Sequence, residues 1–314
     1  MTQQKQQLHS RNRNREQYDL SALTSELPQL STFITRSKAG KATIDFANPT
    51  AVKLLNKAIL KHYYKIQFWE FPDKNLCPAV PGRADYLHHI ADLLGRSNEG
   101  NIPKGEQITG VDVGVGASCI YPLIGATDYN WNFIGADIDA KSIQVAQQIV
   151  EANPQFKGKI TCKVQPNKHR FFDGIINKKD KVDFTICNPP FHASAKDATQ
   201  STQRKVRNLK GRKTDEVTRN FSGIYNELIY EGGEQEFIKK MIIESQQFSM
   251  NCFWFTTLVS KSSNLKVIYK TLEKVKATTV ETISVGTANK SSRIVAWTFL
   301  PKTLQKQWAS VRWN

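Results

Sequence analysis

The chain has 314 residues, with 44 lysines and arginines against 28 aspartates and glutamates, a formal net charge of +16. That length supports a large core plus a smaller module, and the positive excess points to a polyanionic partner, nucleic acid foremost. No apolar run approaches the ~20 residues of a membrane span, and the amino terminus lacks a signal peptide's apolar core, so the expected location is the cytoplasm.

The first 30 residues are polar and basic, with Arg11, Arg13 and Arg15 alternating with Asn12 and Asn14. Such a composition builds no core alone, which leaves two readings in balance, a solvated tail or an arm that clamps phosphates. From Asn48-Pro49 to Lys61, Val52, Leu55, Ile59 and Leu60 recur at helical spacing; Tyr86, Leu87, Ile90, Leu93 and Leu94 do so in a second segment. Together they suggest a small, mostly helical RNA-binding module over residues 1–95, joined by the connector GRSNEGNIPKGEQ to a domain over 96–314. Five cysteines form no CxxC pair, and Cys119, Cys162, Cys187 and Cys252 lie in or beside apolar runs, as reduced core thiols do. His88 and His89 are adjacent and point apart on a helix, so no metal site is expected.

Beyond the connector, strands alternate with helices. Residues 108–113, 131–137, 159–165, 182–187, 252–260, 277–285 and 293–300 read as strands, and 141–153, 234–248 and 265–275 as helices. This alternation implies an α/β fold, a mostly parallel sheet with helices on both faces whose last two strands close as a hairpin. Seven strands match a Rossmann-like class I methyltransferase sheet.

Chemistry concentrates at three strand ends. GVDV runs into Gly114-Val115-Gly116-Ala117-Ser118, a turn that lets backbone approach a nucleotide-like ligand. A dinucleotide fingerprint wants a third glycine where Cys119 stands, which argues for a cofactor without a pyrophosphate; a purely structural tight turn is the competing reading. The second strand ends at Asp137, 23 residues beyond Gly114, where a carboxylate accepts hydrogen bonds from ribose hydroxyls.

The fourth strand ends in CNPPFHAS, residues 187–194. Two prolines stop a sheet ladder, and ligands of such sheets bind beyond the carboxyl ends of the strands. The Asn188 side-chain oxygen and the Pro189 carbonyl can each accept one hydrogen of an exocyclic amine, while Pro190 keeps both acceptors preorganised. Phe191 can stack on the base, worth about 1–3 kcal/mol, against the few kcal/mol that flipping costs.

With GVDVGVGASCIYPLIGAT, VPGRADYLHHIADLL and YEGGEQEFIKKMI, this motif resembles the bacterial large-subunit ribosomal RNA adenine-N6 methyltransferase F family and its eukaryotic methyltransferase-like-16 relatives. The resemblance implies N6-methylation of adenine 1618 of 23S ribosomal RNA, naked or in an assembly intermediate, with S-adenosylmethionine as cofactor and no metal. It implies further that Arg83 reaches the cofactor's carboxylate, that Gly114, Gly116 and Ser118 cradle it, that Asp137 holds its ribose, and that Asn188 to Phe191 bind the target adenine. The residues alone leave Arg83 open as a phosphate contact or a helix-start charge. VQPNKHRFF (164–172) aligns less surely.

Between NPPF and EGGE, residues 192–230 form a long basic insertion with eight Lys or Arg and three Asp or Glu from 196 to 219. Its position favours a flap that closes on RNA. Glu231 and Glu234 read as helix caps. The expected protein is a monomer; the rival reading is a non-catalytic RNA-binding protein on a methyltransferase fold.

Overall fold

The computed structural model describes residues 7–37, 39–194, 229–287 and 290–313. Most of the basic insertion, 195–228, lies outside them. The chain opens with helix α1 (Leu20–Glu26), a hairpin of β1 (Ile34–Arg36) and β2 (Ala42–Ile44), then α2 (Pro49–Tyr64) and α3 (Val80–Arg96). Asn48 starts α2 by accepting the amides of Thr50 and Ala51, with Pro49 in the first turn, where its missing N–H costs nothing.

Seven strands follow: β3 (Thr109–Val113), β4 (Asn132–Asp137), β5 (Ile160–Val164), β6 (Val182–Cys187), β7 (Cys252–Val259), β8 (Thr279–Thr287) and β9 (Lys290–Thr298). They lie in the order β5-β4-β3-β6-β7-β9-β8. The first five strands of the sheet run parallel, and β9 is antiparallel to both β7 and β8, the closing hairpin expected from two strands with no helix between them. β6 and β7 are buried at every position, which is why both read as near-continuous apolar runs. The helices between strands are α4 (Ile120–Tyr129), α5 (Ala140–Glu151), α6 (Gly233–Ser245) and α7 (Leu265–Lys274), and the chain ends in α8 (Lys302–Arg312). α4, the helix into which the glycine turn leads, is buried almost all round, which erases its periodicity, while α8, largely polar, has no counterpart in the sequence reading. α8 is held through Asp183, which accepts from Trp308, Trp313 and Arg312.

The amino-terminal segment is anchored and is not a solvated tail. Leu23 and Leu30 are completely buried, and the core to which they belong continues through α3 into the sheet, across the boundary at residue 95. Arg11 is bound to Asp92, the Tyr129 hydroxyl and the His88 carbonyl, and Arg13 to Asp128. Asn12, buried, donates to the Pro81 carbonyl at 2.8 Å and to Asp85. Residues 9–14 are therefore a strap fastened to α3 and α4. Two successive turns, closed by Asn12 N to the His9 carbonyl and Arg15 N to the Asn12 carbonyl, bury Asn12 and Asn14 and leave Arg11 and Arg13 at the surface to reach the acids of α3 and α4. His9, His89 and Asp92 place ligand-type atoms within 4.8 Å of one another. Their nearest interactions are the strap's own: His9 Nε2 lies 2.8 Å from Asp92 Oδ2, and Arg11 occupies the other oxygen.

Candidate active site

The parallel order places the carboxyl ends of β3, β4 and β6 side by side, and one cleft opens above them. The turn after β3 folds back against β4, Gly114 N and Val115 N both donating to the Ala136 carbonyl at 2.8 and 3.0 Å. Gly114 and Gly116 have φ of 81° and 60°, a region L side chains avoid. Both line the cleft, and a methyl built on either meets nothing within 4 Å. Cys119, in the place of a third glycine, keeps left-handed backbone with φ 51° and is fully buried.

Asp137 ties the turn to β4. One oxygen accepts Gly116 N at 3.0 Å and the other Asp139 N at 2.9 Å, and each retains a lone pair for a ligand hydroxyl. Burial raises the Asp137 carboxyl above the usual range, opposed by those amides of Asp139 and Gly116. Arg83 enters from α3, its guanidinium donating to the Tyr121 hydroxyl at 3.1 Å and standing 5.4 Å from that ring's centre. Asn188 closes the opposite wall at the end of β6. Its side-chain oxygen is buried and has no hydrogen-bond partner among the described residues.

Arg83, Gly114, Gly116, Ser118, Asp137, Asn188 and Pro190 all line this cleft. Pro189, buried, and Phe191, half-buried, stand beside it without lining it.

Several contributors escaped sequence reasoning. Asp112, inside β3, is 1 % exposed, and both its oxygens lack a hydrogen-bond partner among the described residues. Burial, reinforced by Asp137, pushes its carboxyl well above the usual range, with Arg83 pulling the other way. A charged residue within an apolar strand was the available signal. Lys168, Arg170 and Phe171, from the loop after β5, line the cleft's far side. That loop is fixed from behind by buried Glu244 of α6, whose carboxylate accepts the amides of Phe171, Phe172 and Asp173. Glu234 also acts at a distance: it leaves its own helix uncapped and accepts from Ser260 N at 2.7 Å and Asn264 Nδ2 at 2.6 Å, securing the end of β7.

Residues 2–301 match the family model described as RNA methyltransferase. The ribosomal RNA large subunit methyltransferase F of Photobacterium profundum is 47% identical over 329 residues, spanning 100% of this chain and 97% of that protein. The protein of the same name from Flavobacterium johnsoniae is 50% identical over 307 residues, 97% of each chain. Among solved structures, the human METTL16 catalytic domain in complex with the MAT2A 3′UTR hairpin 1 superposes with a TM-score of 0.79 at 28% identity, over 94% of this chain and 96% of that one. The amino-terminal domain of human METTL16 in complex with SAH gives a TM-score of 0.73 at 25% identity, over 94% and 100%. A sheet of this order, a cleft built on its glycine turn and NPPF end, and relatives matched over nearly their whole length agree: the chain belongs to the ribosomal RNA large subunit methyltransferase F family of RNA methyltransferases.

Proposed function

We propose that this enzyme methylates N6 of one adenine of 23S ribosomal RNA, adenine 1618 by family likeness, after the base has left its stack. The observation that carries this reading is the shared cleft: Asn188, with an unpartnered buried acceptor, faces the same space as the glycine turn and Asp137. S-adenosylmethionine, the cofactor of this family, supplies an electrophilic methyl group on a sulfonium when bound. The site fits it: the glycine turn leaves open space where side chains would stand, Asp137 offers free lone pairs, and Arg83, oriented by Tyr121, has further N–H groups for a carboxylate.

An adenine amine is a weak nucleophile because its lone pair is delocalised into the ring. Asn188 Oδ1 and the Pro189 carbonyl accept its two hydrogens, turning the lone pair toward the cleft's other half, and the prolines keep these acceptors in place. No base is needed before transfer; the amine proton leaves afterwards. Phe191 stacks on the extruded base, and stacking with two hydrogen bonds offsets unstacking. Lys168 and Arg170, exposed at the rim, favour a phosphate backbone there. The 1–95 segment and the basic insertion contribute further RNA contacts, and the enzyme acts as a cytoplasmic monomer on naked RNA or an assembly intermediate.

Two variants test the assignment. Asn188→Ala should abolish transfer of radiolabelled methyl to ribosomal RNA from a strain lacking the gene while leaving cofactor affinity nearly unchanged; Asp137→Ala should mainly weaken cofactor binding. Full activity in Asn188→Ala rules the mechanism out. RNA mass spectrometry of the deletion strain should show one N6-methyladenine missing, which a non-catalytic RNA-binding protein would leave in place.

A further inference from the structure

A second polar atom in the cleft has no role in the reaction as derived. Tyr230 lines the cleft beside Asn188 and Pro190, and its hydroxyl is buried with no hydrogen-bond partner among the described residues. Leaving such a group unsatisfied is costly and rare in native proteins. The Tyr230 amide donates to the His192 carbonyl at 3.0 Å and Ile229 bridges His192, so the tyrosine is tied directly to the chain leaving NPPF. The ring is held edge-on to Phe237 with centroids 5.1 Å apart, and Lys240 Nζ lies 5.2 Å from its centre.

The two unpartnered atoms have opposite character. Asn188 Oδ1 only accepts, whereas the Tyr230 hydroxyl can donate. Adenine presents the complement, an amine donor flanked by the acceptors N1 and N7; guanine presents a carbonyl at the same place. A guanine carbonyl would face the Asn188 oxygen, two acceptors without a proton between them. The geometry points to Tyr230 as a base-reading residue: its hydroxyl donates to a ring nitrogen beside the target amine, N1 or N7, while Asn188 receives the amine itself. This inference rests on the adenine-N6 reading above and adds a second contact to the target base; donation to N1 would also exclude guanine, whose N1 carries a proton, whereas N7 accepts in both purines.

The test is a cycle between enzyme and substrate, with one RNA oligonucleotide carrying adenosine, 1-deazaadenosine or 7-deazaadenosine at the target. In the wild type, one of the two deaza substrates should lose about tenfold in kcat/KM, the size of one neutral hydrogen bond left unmade in a buried site. Tyr230→Phe should lose the same factor on adenosine and nothing further on that deaza substrate, with SAH affinity by calorimetry and the thermal midpoint unchanged. A deaza penalty that persists undiminished in Tyr230→Phe overturns the proposal, as does a Tyr230→Phe defect confined to cofactor affinity. Failure of the wild type to methylate the adenosine oligonucleotide or whole ribosomal RNA overturns instead the adenine-N6 reading on which it rests.

Discussion

Replacing Glu244 with alanine should disable the enzyme from behind its active site. The carboxylate is 4 % exposed and receives Phe171 N at 3.1 Å, Phe172 N at 2.8 Å and Asp173 N at 2.9 Å, and the substitution strands three amides at once. Hydrogen bonds to a charged group contribute about 1.5–3 kcal/mol each, and such contributions do not add fully. Breaking a buried charged network typically costs roughly 3–5 kcal/mol, a large part of the ~5–15 kcal/mol that holds a domain folded. Glu244→Gln keeps one acceptor oxygen and should lose about half as much. Urea unfolding measures this as a fall in midpoint at constant slope. Because Phe171 and Arg170 line the cleft, SAH affinity by calorimetry should fall by about tenfold in the alanine variant, a loss of ~1.4 kcal/mol, with the glutamine variant between. An alanine variant within about 0.5 kcal/mol of wild type, binding SAH normally, would refute the reasoning.

Gly116→Ala meets no atom within 4 Å, so it should fold with only the ~1–2 kcal/mol cost of a left-handed L residue, yet its methyl enters the cleft, and SAH affinity measured by calorimetry should fall more than stability does. Asp112 sits well above its unfolded value, so the folded state holds its proton longer and stability declines as pH rises from about 4, by up to ~1.4 kcal/mol per pH unit. Asp112→Asn removes that slope, and its thermal midpoint relative to wild type should climb as pH rises above the unfolded carboxylate value of about 4; a pH-independent difference contradicts the assignment. His88 behaves oppositely: burial, with His9 and Arg11 nearby, lowers it to about 3, so its contribution is present above the unfolded value of 6.5 and is lost as pH falls through that window. Urea midpoints of wild type and His88→Asn should therefore converge on acidification.

The order of strands and helices from residue 109 to 298 could be read from the chain because a parallel sheet writes itself locally, as short apolar runs alternating with amphipathic helices. The same holds for the glycine turn, Asp137 and NPPF, where backbone demands at a strand end select particular residue types. Four features depended on contacts between segments far apart in sequence. The strap's arginines meet Asp92 and Asp128, Glu244 meets amides 71 to 73 residues away, Asp183 meets the last helix, and Tyr230 returns to the NPPF strand across the long insertion. Local pattern encodes conformation and burial; it carries no record of which distant group a buried charge or hydroxyl will face. Tertiary structure alone made that choice, since an acceptor deprived of water must be matched by whichever donors the fold brings to it.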